Sequence, residues 1–141
     1  MLKKPLLIET LVLFSIVGIL HLVATIYHLY WSIYEFDSVV HFFAGMALAS
    51  FFLWFYFFSG FFAPDKRTLI QFLIISVVGT LAVSFLWESF ELIFKQTMVQ
   101  KLDYSYDTMM DLLMDFLGAL VGCFYAYIKE YNREMIIKNQ K

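Results

Sequence analysis

Residues 68–94 read TLIQFLIISVVGTLAVSFLWESFELIF, and the first twenty of them, Thr68 to Trp87, carry no charged side chain. A helix rising 1.5 Å per residue needs about 20 apolar residues to cross roughly 30 Å of hydrocarbon. The stretch is therefore predicted to span a membrane, with Glu88 and Glu91 falling near its end. Three further runs of the same kind surround it, at about residues 6–34, 38–62 and 107–128. Composition agrees: of 141 residues 62% are hydrophobic, 21% aromatic and only 16% charged. An average soluble domain is nearer 45–50% apolar and about a quarter charged. Soluble globular, disordered, collagen-like and disulfide-stapled classes are thereby excluded. The lone Cys123 has no internal partner, and a net charge of −2 gives no sign of a nucleic-acid ligand. The expected fold is an all-α membrane protein, one compact bundle of four transmembrane helices occupying residues 1–141 as a single domain.

Short connections at Glu35-Phe36 and at residues 63–67 make neighbouring spans antiparallel, while the third connection, about residues 95–106, is long enough to fold over something. The N-terminal apolar run is too long for a signal peptide and lacks a small-x-small cleavage site, so it is expected to be a retained first span. Lys3, Lys4, Lys66, Arg67, Lys129, Arg133, Lys138 and Lys141 fall on one side, and only Lys95 and Lys101 on the other. The bias toward the cytoplasmic side of membrane proteins predicts cytoplasmic N and C termini in a bacterial inner membrane. Trp31, Tyr34 and Trp87 then sit near the outer interface, and Glu9, Glu130 and Glu134 are expected to be surface charges.

Ionisable side chains inside a span cost about 2.5–3.5 kcal/mol each on insertion scales, so their presence points to function. This chain carries His21 and His28 in the first span, Asp37 and His41 opening the second, Glu88 and Glu91 late in the third, and Asp107, Asp111 and Asp115 early in the fourth. All but His21, which lies nearer the midplane, fall in the outer half. Spacings of three and four place each set on one helix face. Smaller residues extend those faces: Gly18, His21, Thr25, His28 and Ser32 in the first span, Gly45 and Ala49 below His41, Ser76, Thr80 and Ser84 below Glu88, and Gly118 and Gly122 below Asp115. The last pair has the small-xxx-small spacing of closely packed helices. The Phe-rich end of the second span (Phe51, Phe52, Phe55, Phe58, Phe62) is free to face lipid.

Four or more carboxylates in one small site, with no Lys or Arg at their depth, must be protonated, pair with imidazolium or hold a metal ion. Carboxylates with an imidazole suit Mg²⁺, Mn²⁺, iron or zinc. His41, Glu88, Glu91 and Asp111 are the candidate ligands, and Glu88, Asp111 and Asp115 the candidate catalytic groups. His21, His28, Asp37 and Asp107 are candidate pocket or capping residues; Asp37 and Asp107 each open a helix, where a carboxylate serves as a cap. Thr108 with Asp111 also has the spacing of a capping box. Nucleophile elbows, phosphate-binding glycine loops and HExxH motifs are missing from the sequence.

Asp37-Ser38-Val39-Val40-His41-Phe42 resembles the Asp-x-x-x-His-Phe opening of a span in VanZ-like membrane proteins. Trp87-Glu88-Ser89-Phe90-Glu91 resembles their Glu-x-x-Glu motif, and Asp107 to Asp111 running on to Gly118-Ala119-x-x-Gly122 resembles their closing segment. The Tyr-Asp-Thr and Glu-x-x-Glu forms are closer to the related YjdF-type bacterial inner-membrane proteins. Ser38 replaces the Lys often found after the first Asp, Asp115 stands where Asn is common, and no Arg precedes Asp107 in the place the resemblance leads one to expect, which makes this pocket more acidic. The resemblance implies a polytopic envelope protein whose namesake is associated with glycopeptide resistance.

Three functions follow as expectations. The first is an outward-facing, divalent-metal site that binds or hydrolyses a lipid headgroup or lipid-linked envelope precursor. The second is a non-catalytic protein that holds such a precursor or amphiphile. The third is a proton- or cation-coupled transporter, against which the cytoplasmic half of the spans supplies no continuing acid. Four helices also leave room for an oligomer.

Overall fold

The apolar runs form five α-helices in the computed structural model of the chain, which describes residues 3–33, 35–62, 64, 67–94 and 104–139. These are α1 (Lys3–Ile26), α2 (Leu29–Ser32), α3 (Phe36–Leu53, continued by a π-helical turn Trp54–Phe58), α4 (Leu69–Phe94) and α5 (Tyr104–Asn139). Leu6–Ile26, Phe36–Phe58, Leu69–Phe94 and Ser105–Ile137 are each long and apolar enough to cross a membrane, and the described residues contain no strand. Tyr34, residues 95–103 of the long third connection, and the loop lysines Lys66, Lys95, Lys101 and Lys141 lie outside the described residues, as does the Glu134 side chain.

The first span ends eight residues before the sequence patterning placed its limit, at Ile26 and not at Tyr34. His28 adopts a left-handed conformation (φ 54°, ψ 36°), which no continuous α-helix tolerates. Its carbonyl accepts the Trp31 and Ser32 amides (both 3.1 Å), so the chain restarts as α2 in a new direction. Glu35 repeats the device at φ 60° and turns the chain into α3. At the other extreme, α5 continues beyond residue 128 to Asn139.

Helix α3 is the centre of the bundle, and its closest neighbour is α5, which runs parallel to it. Glycine makes that approach possible. A Cβ at Gly45 would stand 2.2 Å from the Asp115 carbonyl oxygen, and one at Gly118 would stand 2.1 Å from that of Phe42. In a bilayer, where lipid is as apolar as Leu, such close backbone packing is what holds helices together. The half of the bundle remote from the acidic residues is filled by Leu6, Leu53, Phe57, Phe58, Phe72, Cys123 and Ala126, with the Phe57 and Phe72 rings stacked at 4.5 Å. The expectation of a lipid-facing Phe series is corrected in part: Phe58 is buried, and the Phe52 ring occupies the space above Gly79. Phe62 does face outward.

At the end of the bundle remote from the acidic residues, Glu130 accepts hydrogen bonds from Arg67 and, at 2.6 Å, from Arg133, while Lys129 pairs with Glu9. The start of α1, the start of α4 and the last third of α5 are thereby tied together. Glu130 is only 3% exposed, so it is a buried clasp and not the surface charge expected from sequence. Its position beyond the apolar run hid its partners.

Candidate functional site

The parallel α3–α5 crossing brings two ionisable ladders face to face. Asp37 lies in the first turn of α3 and His41 one turn deeper, while Asp111 and Asp115 are one turn apart on α5. His41 Nδ1 lies 3.0 Å from Asp115 Oδ2, and its Nε2 faces Asp37 Oδ1 at 3.9 Å. Ser38 Oγ reaches Asp111 Oδ1 at 3.4 Å. His41, Asp111 and Asp115 are all buried (8%, 3% and 2% exposed), far from the dielectric that would dissipate their charge. One ligand atom each of Asp37, His41 and Asp111 lie within 4.8 Å of one another, close enough that the three could hold a metal ion. With the Nδ1 proton directed at Asp115, His41 turns Nε2 toward Asp37. That is the arrangement in which a carboxylate fixes the tautomer and orientation of a metal-binding histidine.

The three converging side chains include Asp37, expected from sequence only as a pocket or capping residue. The N-cap of α3 is Glu35, which makes no side-chain capping bond, and Asp37 instead turns toward His41. Glu88 and Glu91, candidate ligands by sequence, stand outside the group of three. Glu88 accepts a hydrogen bond from Thr108 Oγ1 (2.9 Å), tying α4 to α5. Thr108 therefore lies within α5 and bonds across helices, where its spacing from Asp111 had matched a capping box. Glu91 lines a cavity that Asp37 and His41 also border. Asp107 is half-buried in the first turn of α5.

The cavity measures about 270 Å³ and lies among α1, α3, α4 and α5. One end is polar, lined by His21, Tyr30, Asp37, His41, Glu91 and Asp115, and the other is apolar, lined by Phe14, Val17, Ala44, Leu48 and Val83. No Lys or Arg is among its lining residues. Asp115 Oδ1, buried at this wall, has no hydrogen-bond partner among the described residues. Such a group is costly unless something else completes it.

Tyr30 is the residue that the sequence did not reveal. The break at His28 folds α2 back, so the Tyr30 hydroxyl meets His21 Nδ1 at 2.7 Å. Burial first, and then the charges of Asp37 and Glu91, push its phenol well above the ordinary tyrosine range. His21 also stands edge-on to Trp87 (6.5 Å between ring centres). The first-span stripe is not an interior face: His21 borders the cavity but, like Thr25, His28 and Ser32, is exposed, and Gly18 has open space around it. Thr25 and Ser32 bond the carbonyls of His21 and His28 four residues earlier, which satisfies them without an interior partner. On α4, by contrast, Ser76, Thr80, Ser84 and Glu88 form one buried stripe facing the bundle.

No curated protein and no solved structure matches the chain. Residues 3–131 match the family described as "Predicted membrane protein (DUF2238)", a stretch that runs from the start of α1 into the last third of α5 and takes in every residue of the cavity. The chain belongs to this family of membrane proteins.

Proposed function

We propose that the protein holds a divalent cation between Asp37, His41 and Asp111 at the outer side of a bacterial cytoplasmic membrane, and uses it to bind and hydrolyse the headgroup of a membrane lipid or lipid-linked envelope molecule. The observation that carries this reading is the three-residue convergence, with Asp115 behind His41 as its orienting carboxylate. Two carboxylates and one imidazole are a hard, oxygen-rich donor set suited to Mg²⁺ or Mn²⁺, with zinc and iron as competitors. A cation bound there would polarise a phosphoester and lower the pKa of a bound water. Glu91 faces the same cavity from α4 as the candidate proton acceptor, and the absence of Lys and Arg from the lining leaves a cation as the means of attracting an anionic head. Arg67, Lys129 and Arg133 gather at the opposite end of the bundle, which supports cytoplasmic termini and an outward-facing site. The packed inner core of Leu53, Phe57, Phe72 and Cys123 favours a one-sided site over a transport path.

Equilibrium dialysis of detergent-purified protein against Mn²⁺, Mg²⁺ and Zn²⁺ tests the first half. One ion should bind per chain, with affinity reduced at least tenfold, on the scale of losing one ligand, in Asp111→Asn and His41→Asn. Equal binding by wild type and Asp111→Asn would overturn it. Incubation of the loaded protein with an envelope lipid extract, followed by mass spectrometry, tests the second half. Metal-dependent product supports hydrolysis; binding without product leaves a holding protein, the non-catalytic alternative.

A further inference from the structure

We infer that the cavity receives one hydrocarbon chain of its ligand, and that the chain enters sideways from the outer leaflet between α1 and α4. This rests on the reading of a lipid headgroup at the acidic end and names how that lipid is seated. Helix α1 is held chiefly near its two ends, with a Phe14–Phe51 ring contact and the packing of Val17 and Leu20 between them. Near its start, Leu6 enters the inner core and Glu9 pairs with Lys129; near its end, Ala24 packs with Tyr30 and Val40. Between these anchors Leu11, Val12, Ile16 and Ile19 are exposed, and among the described residues α1 packs mainly on α3 and scarcely against α4. The cavity lies behind that seam. Phe14 and Val17 of α1 border it on one side, Val83 of α4 on another, and Leu48 of α3 lies at its inner end. Across the outer part of the seam, His21 meets Trp87 by an edge-to-ring contact with 6.5 Å between ring centres.

The polarity gradient sets the orientation of the occupant. Asp37, His41 and Asp115 mark the outer end, and Leu48 lies about two turns deeper along α3 than His41. A lipid seated there keeps its head at membrane-surface depth and its tail parallel to its neighbours in the leaflet. Because the surrounding lipid is already apolar, the tail gains no hydrophobic free energy by entering. The gain lies at the head, which reaches the proposed cation at the acidic end. A volume of about 270 Å³ falls just below ordinary small-molecule sites, about 300–1,000 Å³, so it takes only the upper part of one chain below the head and leaves the second chain in the bilayer.

Photo-crosslinking in vesicles tests this with a phospholipid carrying a diazirine midway along one acyl chain. Adducts mapped by mass spectrometry are expected on Leu48 and Val83, in addition to lipid-facing Ile74 and Val78. Ala44→Phe, which fills the cavity from α3, should reduce the Leu48 and Val83 adducts at least tenfold and leave those on Ile74 and Val78 unchanged. Val17→Phe fills it from α1 and should do the same where Ala44→Phe disturbs folding. Adducts confined to Ile74 and Val78 in the wild type, or cavity adducts that survive both substitutions in folded protein, would overturn the inference. Mn²⁺ binding measured on the same samples separates the two readings: retained ion with no cavity adducts removes the seated chain alone, whereas loss of ion binding in the wild type removes the metal centre.

Discussion

Replacing Gly45 by Ala adds one methyl group at the point where the fold and the site are the same object. The new Cβ would stand 2.2 Å from the Asp115 carbonyl oxygen and 2.8 Å from its Cα, both backbone atoms that no side-chain rotation can move. Restoring ordinary contact requires α3 and α5 to separate by about 1 Å. The same displacement stretches the 3.0 Å His41–Asp115 contact to roughly 4 Å, beyond hydrogen-bonding range. Overpacking of this kind costs about 1–3 kcal/mol, and losing a buried hydrogen bond about 1–3 more, so a destabilisation on the order of 3 kcal/mol is expected. Reversible unfolding in mixed detergent micelles measures it, with Gly18→Ala as the control because a Cβ at Gly18 meets nothing within 4 Å. Cation affinity should fall together with stability in Gly45→Ala and remain normal in Gly18→Ala. If the two variants unfold within about 0.5 kcal/mol of each other, the close crossing does not hold the site together and the reasoning fails.

Other substitutions probe separate contacts. Glu130→Ala leaves Arg67 and Arg133 without their shared carboxylate, and because both guanidinium groups are partly solvated the loss should be about 2 kcal/mol by unfolding, against less than about 1 for the more exposed Glu9→Ala. Thr108→Val removes one hydrogen-bond donor of the buried Glu88 and should cost about 1–3 kcal/mol in the same assay; unchanged stability would show that this bond does not hold α4 to α5. Tyr30→Phe bears on pH dependence. A phenol pushed above its ordinary pKa of 10.0 keeps its proton in the folded state while the unfolded chain loses it, so stability falls as pH rises above about 10. That decline should be shallower in Tyr30→Phe, and an unchanged slope would show that Tyr30 is not held in its buried position.

Much of this architecture is legible in residue spacing. A four-residue interval put Asp111 and Asp115 on one face of a span, and that face does meet His41. The Gly118 and Gly122 spacing marked the helix approach that the Phe42 and Met46 carbonyls confirm, and Ser76, Thr80 and Ser84 traced the buried side of α4. What escaped depends on backbone conformation or on long-range pairing. Neither Gly nor Pro signals the break at His28, so a continuous helix would set Tyr30 about 13 Å along the axis from His21, where the folded chain brings them into contact. A carboxylate in the first turn of a helix serves equally as a cap or as a ligand, and only the position of α5 shows that Asp37 turns to His41. Thr25 and Ser32 looked like an interior stripe because polar residues within a span usually face inward; a bond to the preceding turn makes an outward position equally tolerable. Glu130 shares a helix with Arg133, but Arg67 reaches it from the far side of the α3–α4 connection, a pairing that sequence spacing does not encode.

The central claim is that His41 contributes its imidazole, together with Asp37 and Asp111, to one cation. Pulsed electron paramagnetic resonance of Mn²⁺-loaded protein, prepared without a histidine tag, tests it directly, because a nitrogen bound to Mn²⁺ gives a ¹⁴N modulation that oxygen ligands do not. The chain has 3 histidines, and His21 and His28 lie outside the converging group. The account predicts coupling to a single nitrogen that disappears in His41→Asn and persists in His21→Asn. Coupling that survives His41→Asn, or a bound ion with no nitrogen coupling in the wild type, would contradict it.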